Sequence, residues 1–370
     1  LAQGLNFSDL FPLPVRIKHI HVRRQSLALQ RPYSIAYKTI SEVENILVVV
    51  ETTDGRLGLG TANPSQNVVG KTLDDTFRAL DQGMLARFIG KDVREIGALL
   101  EELRRAYPEN PGARAALDIA FHDLFSQGLG LPLVKYFGTQ YAAMPTSVTI
   151  GIKDLDATLD EAAEYLGKGF RALKVKLGNY QEVDVERLEK IRERFGNDFH
   201  LRVDANQAYT VATTRWFLEA TKHLDIELIE QPLPAADRSG WLQFTPEERI
   251  RLAADEALVT PAQAVGLAFP QAHVGIFNIK LMKTGGIAPA RFQAEVARNA
   301  NIDLMWGCND ESVISISAAL HTALATPNTR YLDLDGSFDL GKDFATGGFA
   351  VKDGLMVPLD MPGLGLKLIA

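Results

Sequence analysis

Residues 199–234 read FHLRVDANQAYTVATTRWFLEATKHLDIELIEQPLP. An apolar run ends in Asp204, a stretch with helical spacing follows over VATTRWFLEATKHL, and a second apolar run ends in Glu230. The pattern predicts a strand, a helix and a strand, with a carboxylate closing each strand. The unit recurs on both sides. LKVK ends in Lys176, RLAAD in Asp255 and FNIK in Lys280, so the five charged residues stand 28, 26, 25 and 25 residues apart. A strand, its loops and a helix take about 30 residues, so this period matches successive βα units. In a parallel barrel the C-terminal strand ends converge on one face, where active sites lie.

Working outward, TSVTIGI, RALKVKLG, FHLRVDAN, IELIEQP, RLAADEAL, VGIFNIKLM, IDLMWGC and TRYLDLDG give eight candidate strands between residues 146 and 335. The last has no clear helix after it. Upstream, VRIKHIHV and ENILVVVETTDGRLGLGTA read as strands around an Asp-Gly turn, and residues 71–137 read as helices. Strands followed by helices suggest an α+β unit. The predicted fold is α/β, a (β/α)7β TIM-like barrel over residues 141–336 with an N-terminal α+β capping domain over 1–140. A Gly- and Pro-rich segment, 337–370, is expected to return to the capping domain.

Composition excludes several classes. The net charge is −7 and no block of Lys or Arg occurs, which argues against a nucleic-acid partner. No apolar run approaches the roughly 18 residues of a membrane span. The opening LAQGLNFSDLFPLP lacks the basic and long apolar regions of a signal peptide and lacks an initiator Met. Cys308 is the single cysteine, so no internal disulfide forms, and a reducing cytoplasm is the expected location. The sequon Asn6-Phe7-Ser8, without a secretion signal, is read as chance. Homo-oligomerisation is left open.

Asp204, Glu230 and Asp255 offer three hard oxygen ligands, which suits Mg2+, and no His-Cys cluster offers a softer site. A single Asp at a strand end commonly caps the next helix. Three carboxylates in register, each after an apolar strand, favour a shared cation instead. Asn206, Gln231 and Glu256 follow closely and are expected to orient the ligands. Lys174 and Lys176 lie two apart and point to one side of their strand. Beside a cation and partly desolvated, such an ammonium loses its proton more readily and serves as a base. Lys280 stands four strands further on, across the barrel. Lys283 and Arg171 read as solvated strand-end charges. Asp333 and Asp335 offer two negative charges to a cation, or cap the turn at Gly336. Gly285-Gly286 reads as a strand-to-helix turn, Cys308 as packing, and no histidine falls in a ligand or triad spacing.

These motifs resemble the enolase superfamily in its muconate-lactonising subgroup, over nearly the whole chain. The Lys-x-Lys of LKVKLG, the acidic residues of RVDANQ, LIEQPLP and ADE, and the lysine of NIKLMKTGGI all stand in place. YLDLDG resembles the Asp-x-Asp motif of dipeptide epimerases within that subgroup. QRPYSIAY and the segment after GLGTANPS resemble the two loops that close over substrate. The resemblance implies Lys176 and Lys280 as paired bases and Lys174 at the substrate carboxylate. It implies Mg2+ on Asp204, Glu230 and Asp255, and the ammonium of a dipeptide on Asp333 and Asp335. Thr149, on TSVTIGI, joins the candidate substrate-binding residues. Cycloisomerase or succinylbenzoate synthase-like activity stays open within the fold, as does a catalytically silent, dipeptide-binding barrel.

One further reading concerns specificity. Trp306-Gly307-Cys308-Asn309-Asp310-Glu311-Ser312 places two adjacent carboxylates at the rim of the expected pocket. They cap the next helix, or Asp310 or Glu311 faces the substrate and selects a positively charged side chain.

Overall fold

The computed structural model describes residues 14–35, 38–178 and 180–369. Ala36 and Tyr37, at the end of the first expected closing loop, and the sequon at Asn6 lie outside the described residues. Strands β1 (Ile17–Ile35), β2 (Lys38–Thr52) and β3 (Leu57–Ala62) form an antiparallel sheet, with β2 in the middle. Val22 pairs with Val48, and Val48 with Gly60. The sheet packs on the helix Pro111–Gly128. A Cβ at Gly60 would stand 1.8 Å from the carbonyl oxygen of Ala116, so the close approach requires glycine there. Asn110 caps this helix by accepting from the N–H of Ala113, and Pro111 occupies its first turn. Leu117, Ala120, Phe121 and Leu124 are buried, because the helix lies between the capping sheet and the barrel.

The barrel follows. Strand β4 (Met144–Pro145) leads into β5 (Val148–Ile150), β6 (Ala172–Lys176), β7 (His200–Asp204) and β8 (Ile226–Glu230). Next come β9 (Leu252–Ala254), β10 (Ile276–Ile279), β11 (Asp303–Gly307) and β12 (Thr329–Asp333). Strands β5 to β12 pair in chain order, all parallel. A bridge between Thr146 and Leu332, with the N–H of Ser147 donating to the Leu332 carbonyl at 2.9 Å, brings the two edges together. Among the described residues helices follow every strand from β5 to β11 and none follows β12, as the sequence predicts. Strand β9 is shorter than RLAADEAL suggests, so Asp255 lies one residue past its strand, as Lys280 does past β10.

Inward-facing residues alternate along each strand, which divides the interior into layers. Leu228, Ala253, Ile276 and Met305 form one apolar cluster with Tyr331 packed against it. Arg202 is buried beside them, stacked 5.0 Å over the Tyr331 ring, with Nε on Glu227 and Nη1 on the carbonyl of Leu332. Two residues further along those strands stand Asp204, Glu230, Asp255, Asn278, Gly307 and Asp333. An apolar floor thus carries a polar layer at the C-terminal end.

The tail forms β13 (Ala345–Gly347), β14 (Phe349–Lys352), β15 (Leu355–Pro358) and β16 (Leu366–Leu368). β13 pairs with β16, and β15 lies between β14 and β4. The N–H of Leu364 donates to Asp123 in the helix Pro111–Gly128, and that of Leu133 to the Gly363 carbonyl, which ties the tail to the capping residues. No helix among the described residues is long and apolar enough to cross a membrane.

Candidate active site

Asp204 and Glu230 end adjacent strands and pair directly in register, and Asp255 follows β9. All three are buried. Asn206 and Gln231 carry positive φ, 41° and 36°, a conformation non-glycine residues adopt at a cost and hold mainly at functional sites. Both bond to residues of the acidic row. The N–H of Asn206 donates to Asp204 Oδ1 at 2.9 Å, and Gln231 Oε1 accepts from the N–H groups of Asp255 and Ala257. Glu256 accepts from Asn206 through Oε1, while its Oε2 is buried without a hydrogen-bond partner.

Four lysines meet these carboxylates. Lys176 Nζ donates to Asp204 Oδ2 at 2.6 Å and to Asn206 at 2.9 Å. Lys174 is buried, with Nζ 3.1 Å from Glu230 Oε2, 3.8 Å from Asp204 Oδ2 and hydrogen-bonded to Asp333. Lys280 Nζ donates to Asp255 Oδ2 at 2.8 Å. Strands β6 and β10 are four apart in a ring of eight, so Lys176 and Lys280 stand on opposite sides of the row of carboxylates. A Cβ at Gly307 would fall 2.6 Å from Asn278 and 3.1 Å from Lys280 Cε, so glycine leaves room for the lysine arm. Burial pulls the Lys280 ammonium down, but Asp255 and Glu230 outweigh it and hold it above its ordinary value. A cation on the same carboxylates would weaken that pull, which is the setting the sequence reading assumes.

Lys283 corrects the sequence reading. It is 2% exposed rather than solvated. Its ammonium donates to Asp255 Oδ1, to the Asp255 carbonyl at 2.7 Å and to the Asn278 carbonyl at 2.9 Å. Asn278 and Ser147 are site residues the sequence reading missed. Asn278 Nδ2 donates to Glu230 Oε1 at 2.5 Å, and Ser147 Oγ donates to Asp333 Oδ1 at 2.6 Å. Asn278 was findable, because it precedes Lys280 by two residues and so shares its strand face.

Asp333 is buried between Lys174 and Ser147, and Asp335 lies two residues past the end of β12. Asp335 Oδ2 accepts from the N–H of Thr149 at 2.7 Å, which places Thr149 beside it. Burial, with the Asp333 charge beside it, pushes the Asp335 carboxyl up to about 7. A cavity of about 290 Å³ opens here, walled by Gln30, Val148, Tyr165, Lys168, Phe170, Asp335, Phe338, Asp339 and Val351, so both signs of charge line it. Cys308 lies one residue past β11, and its thiol is pushed well up by burial and by neighbouring carboxylates. It is a poor nucleophile there.

Asp310 and Glu311 do not cap the following helix. Ser312 caps Val313–Leu324, and the N–H of Val313 donates to Asp343 from the tail. Glu311 turns back to accept from the N–H of Asn309 and is buried, which pushes it up to about 7. Asp310 sits at the seam with the capping domain, where its carbonyl accepts from Asn63 Nδ2 at 2.5 Å. Asn309 returns a bond to the Asn63 carbonyl, so the segment after GLGTANPS begins against the barrel rim. The Gly285-Gly286 turn is closed by Asp118, which accepts from the N–H of Ile287.

As the side chains stand, no three acidic, imidazole or thiol groups among the described residues close around one point. Lys174, Lys176 and Lys280 hold the inward oxygens. The donor set nonetheless fits a hard divalent cation. Three carboxylates face one another in a buried layer with an unpartnered Glu256 oxygen nearby. Burial and the Asp204 charge push the Glu230 carboxyl up to about 8, whereas Lys280 and Lys283 outweigh burial at Asp255 and hold it below its usual range.

Comparison with known proteins supplies the family. Residues 157–369 match the enolase C-terminal domain-like family, and residues 17–138 the mandelate racemase / muconate lactonizing enzyme N-terminal domain. The chain belongs to the enolase superfamily. Within this superfamily it is 52% identical over 353 residues to an L-Lys-D/L-Arg epimerase of Methylococcus capsulatus, covering 95% of this chain and 99% of that protein. It is 47% identical to an L-Lys-D/L-Arg epimerase of Desulforapulum autotrophicum, covering 96% of this chain and 100% of that one. A crystal structure of the Methylococcus dipeptide epimerase, in complex with Mg and the dipeptide L-Arg-D-Lys, superposes with a TM-score of 0.93. It is 51% identical and covers 95% of this chain and 99% of its own.

Proposed function

We propose that the chain is an isomerase, a magnesium-dependent dipeptide epimerase. It inverts the α-carbon of the C-terminal residue and prefers cationic dipeptides. The observation that carries the reading is the placement of Lys176 and Lys280 on opposite sides of Asp204, Glu230 and Asp255. An α-proton beside a carboxylate is very weakly acidic, and its removal moves charge onto the carboxylate oxygens as an enediolate. Stabilisation aimed at those oxygens therefore acts mainly in the transition state. Asp204, Glu230 and Asp255 would hold Mg2+, which when bound supplies positive charge at the substrate carboxylate. Lys174, already paired with Glu230 and Asp333, adds an ammonium to the same region. One lysine takes the proton from one face and the other returns it on the opposite face. Two bases so placed suit inversion better than the elimination of a cycloisomerase or succinylbenzoate synthase.

Asp333 and Asp335 would receive the dipeptide ammonium, with Thr149 holding Asp335 in place. Asp310 offers a carboxylate at the rim to a cationic side chain. The epimerases of L-Lys-D/L-Arg among the relatives support the same preference. Steady-state rates on L-Lys-L-Arg, L-Ala-L-Glu and N-acetyl-L-Lys-L-Arg test these roles. The cationic dipeptide should be turned over best. Acetylation should cost about tenfold or more in kcat/KM, because buried carboxylates lose a charged partner. Asp310→Leu should narrow the preference for the cationic dipeptide. Equal turnover of the acetylated and free dipeptides would remove Asp333 and Asp335 from ammonium recognition.

A further inference from the structure

The three carboxylates share a pattern. Each has one oxygen held from behind and the other turned toward the lysines. Asp204 Oδ1 accepts from the N–H of Asn206, Glu230 Oε1 from Asn278 Nδ2, and Asp255 Oδ1 from Lys283 Nζ. The opposite oxygens meet Lys176, Lys174 and Lys280 respectively. A carboxylate so held offers its other oxygen more readily than the one already bonded. Lys283 is itself fixed by two further bonds, to the carbonyls of Asp255 and Asn278, so the arrangement is stiff.

We infer that Asn278 and Lys283 are positioning residues that set the ion selectivity of the site, by forcing one-oxygen ligation from Glu230 and Asp255. The inference rests on the magnesium reading above and extends it. Mg2+ demands near-ideal octahedral geometry with short bonds and keeps positions for water or substrate. Three single-oxygen donors meet that demand. Ca2+ takes more oxygens at longer distances and readily accepts both oxygens of one carboxylate. A site whose carboxylates are hindered from offering their second oxygen disfavours it.

Calorimetric titration of the metal-free full chain with Mg2+ and with Ca2+ tests this without recourse to turnover. The readout is the ratio of the two dissociation constants. Both ions carry the same charge, so the loss of an ammonium's charge by itself shifts both affinities alike, and a change in the ratio reports the changed ligation geometry. Lys283→Met and Asn278→Leu should each lower the preference for Mg2+ over Ca2+ by about tenfold or more. Lys283→Arg should largely preserve it. Circular dichroism identifies any variant that does not fold, and Asn278→Leu, which keeps every charge, carries the test if Lys283→Met does not. Folded variants with the wild-type ratio would overturn the selectivity role, even if both affinities fell together. A wild-type chain that binds neither ion would overturn the magnesium reading and the selectivity role with it.

Discussion

Alanine at position 280 should lower epimerisation by about 10²–10⁴-fold, the usual loss when a positioned acid or base is removed. Exchange of the α-proton should survive for one diastereomer only. Lys176, on the other side of the carboxylate row, still reaches its own face of the substrate, removes the proton and returns a solvent-derived one to the same face. No inversion results. Lys176→Ala should give the mirror outcome, with exchange confined to the other diastereomer. Each lysine is anchored to a different carboxylate, Lys176 to Asp204 and Lys280 to Asp255, so removing one leaves the other in place. Proton NMR of each diastereomer in deuterated water separates exchange from inversion. Continued epimerisation by either variant would mean that one base serves both faces.

Removing a metal-binding carboxylate should have a comparable effect for a different reason. Glu230→Gln keeps the shape but removes the charge at the centre of the row, where Asp204 pairs with it in register and Lys174 and Asn278 bond to it. Turnover should fall by about 10²–10³-fold, as when a preorganised group stabilising a developing oxyanion is lost. Excess chelator should bring the wild-type enzyme to a similar level, and Mg2+ should restore the wild type but not the variant. Full activity in excess chelator would contradict the assignment of Asp204, Glu230 and Asp255.

The barrel was legible because its signal is local and repeated. Each strand is a short apolar run, each ends in a charged residue, and the spacing of Lys176, Asp204, Glu230, Asp255 and Lys280 is close to one βα unit. Side-chain direction beyond a strand end was not legible. Lys283 stands three residues after Lys280, and the sequence does not show that the short helix Leu281–Thr284 turns it back onto Asp255. Of the two readings of Asp310 and Glu311, capping of the helix Val313–Leu324 falls away because Ser312, the next residue, caps it by accepting from the N–H of Ile314. The tail adds Asp343, some thirty residues away, and no local rule identifies a partner at that distance. Asn278 and Ser147 were legible in principle, since strand alternation turns both toward the polar layer.

The central claim is two-sided proton transfer at the C-terminal α-carbon of a dipeptide, and one reaction tests it directly. L-Arg-L-Lys is incubated with the wild-type enzyme and Mg2+ in deuterated water, then followed by NMR and chiral analysis of the hydrolysed product. The account predicts a mixture of L-Arg-L-Lys and L-Arg-D-Lys. Deuterium should enter the α-carbon of lysine alone, and arginine should stay protiated and wholly L. Deuterium at the arginine α-carbon, or complete retention of both centres under conditions where L-Ala-L-Glu is epimerised, would contradict it.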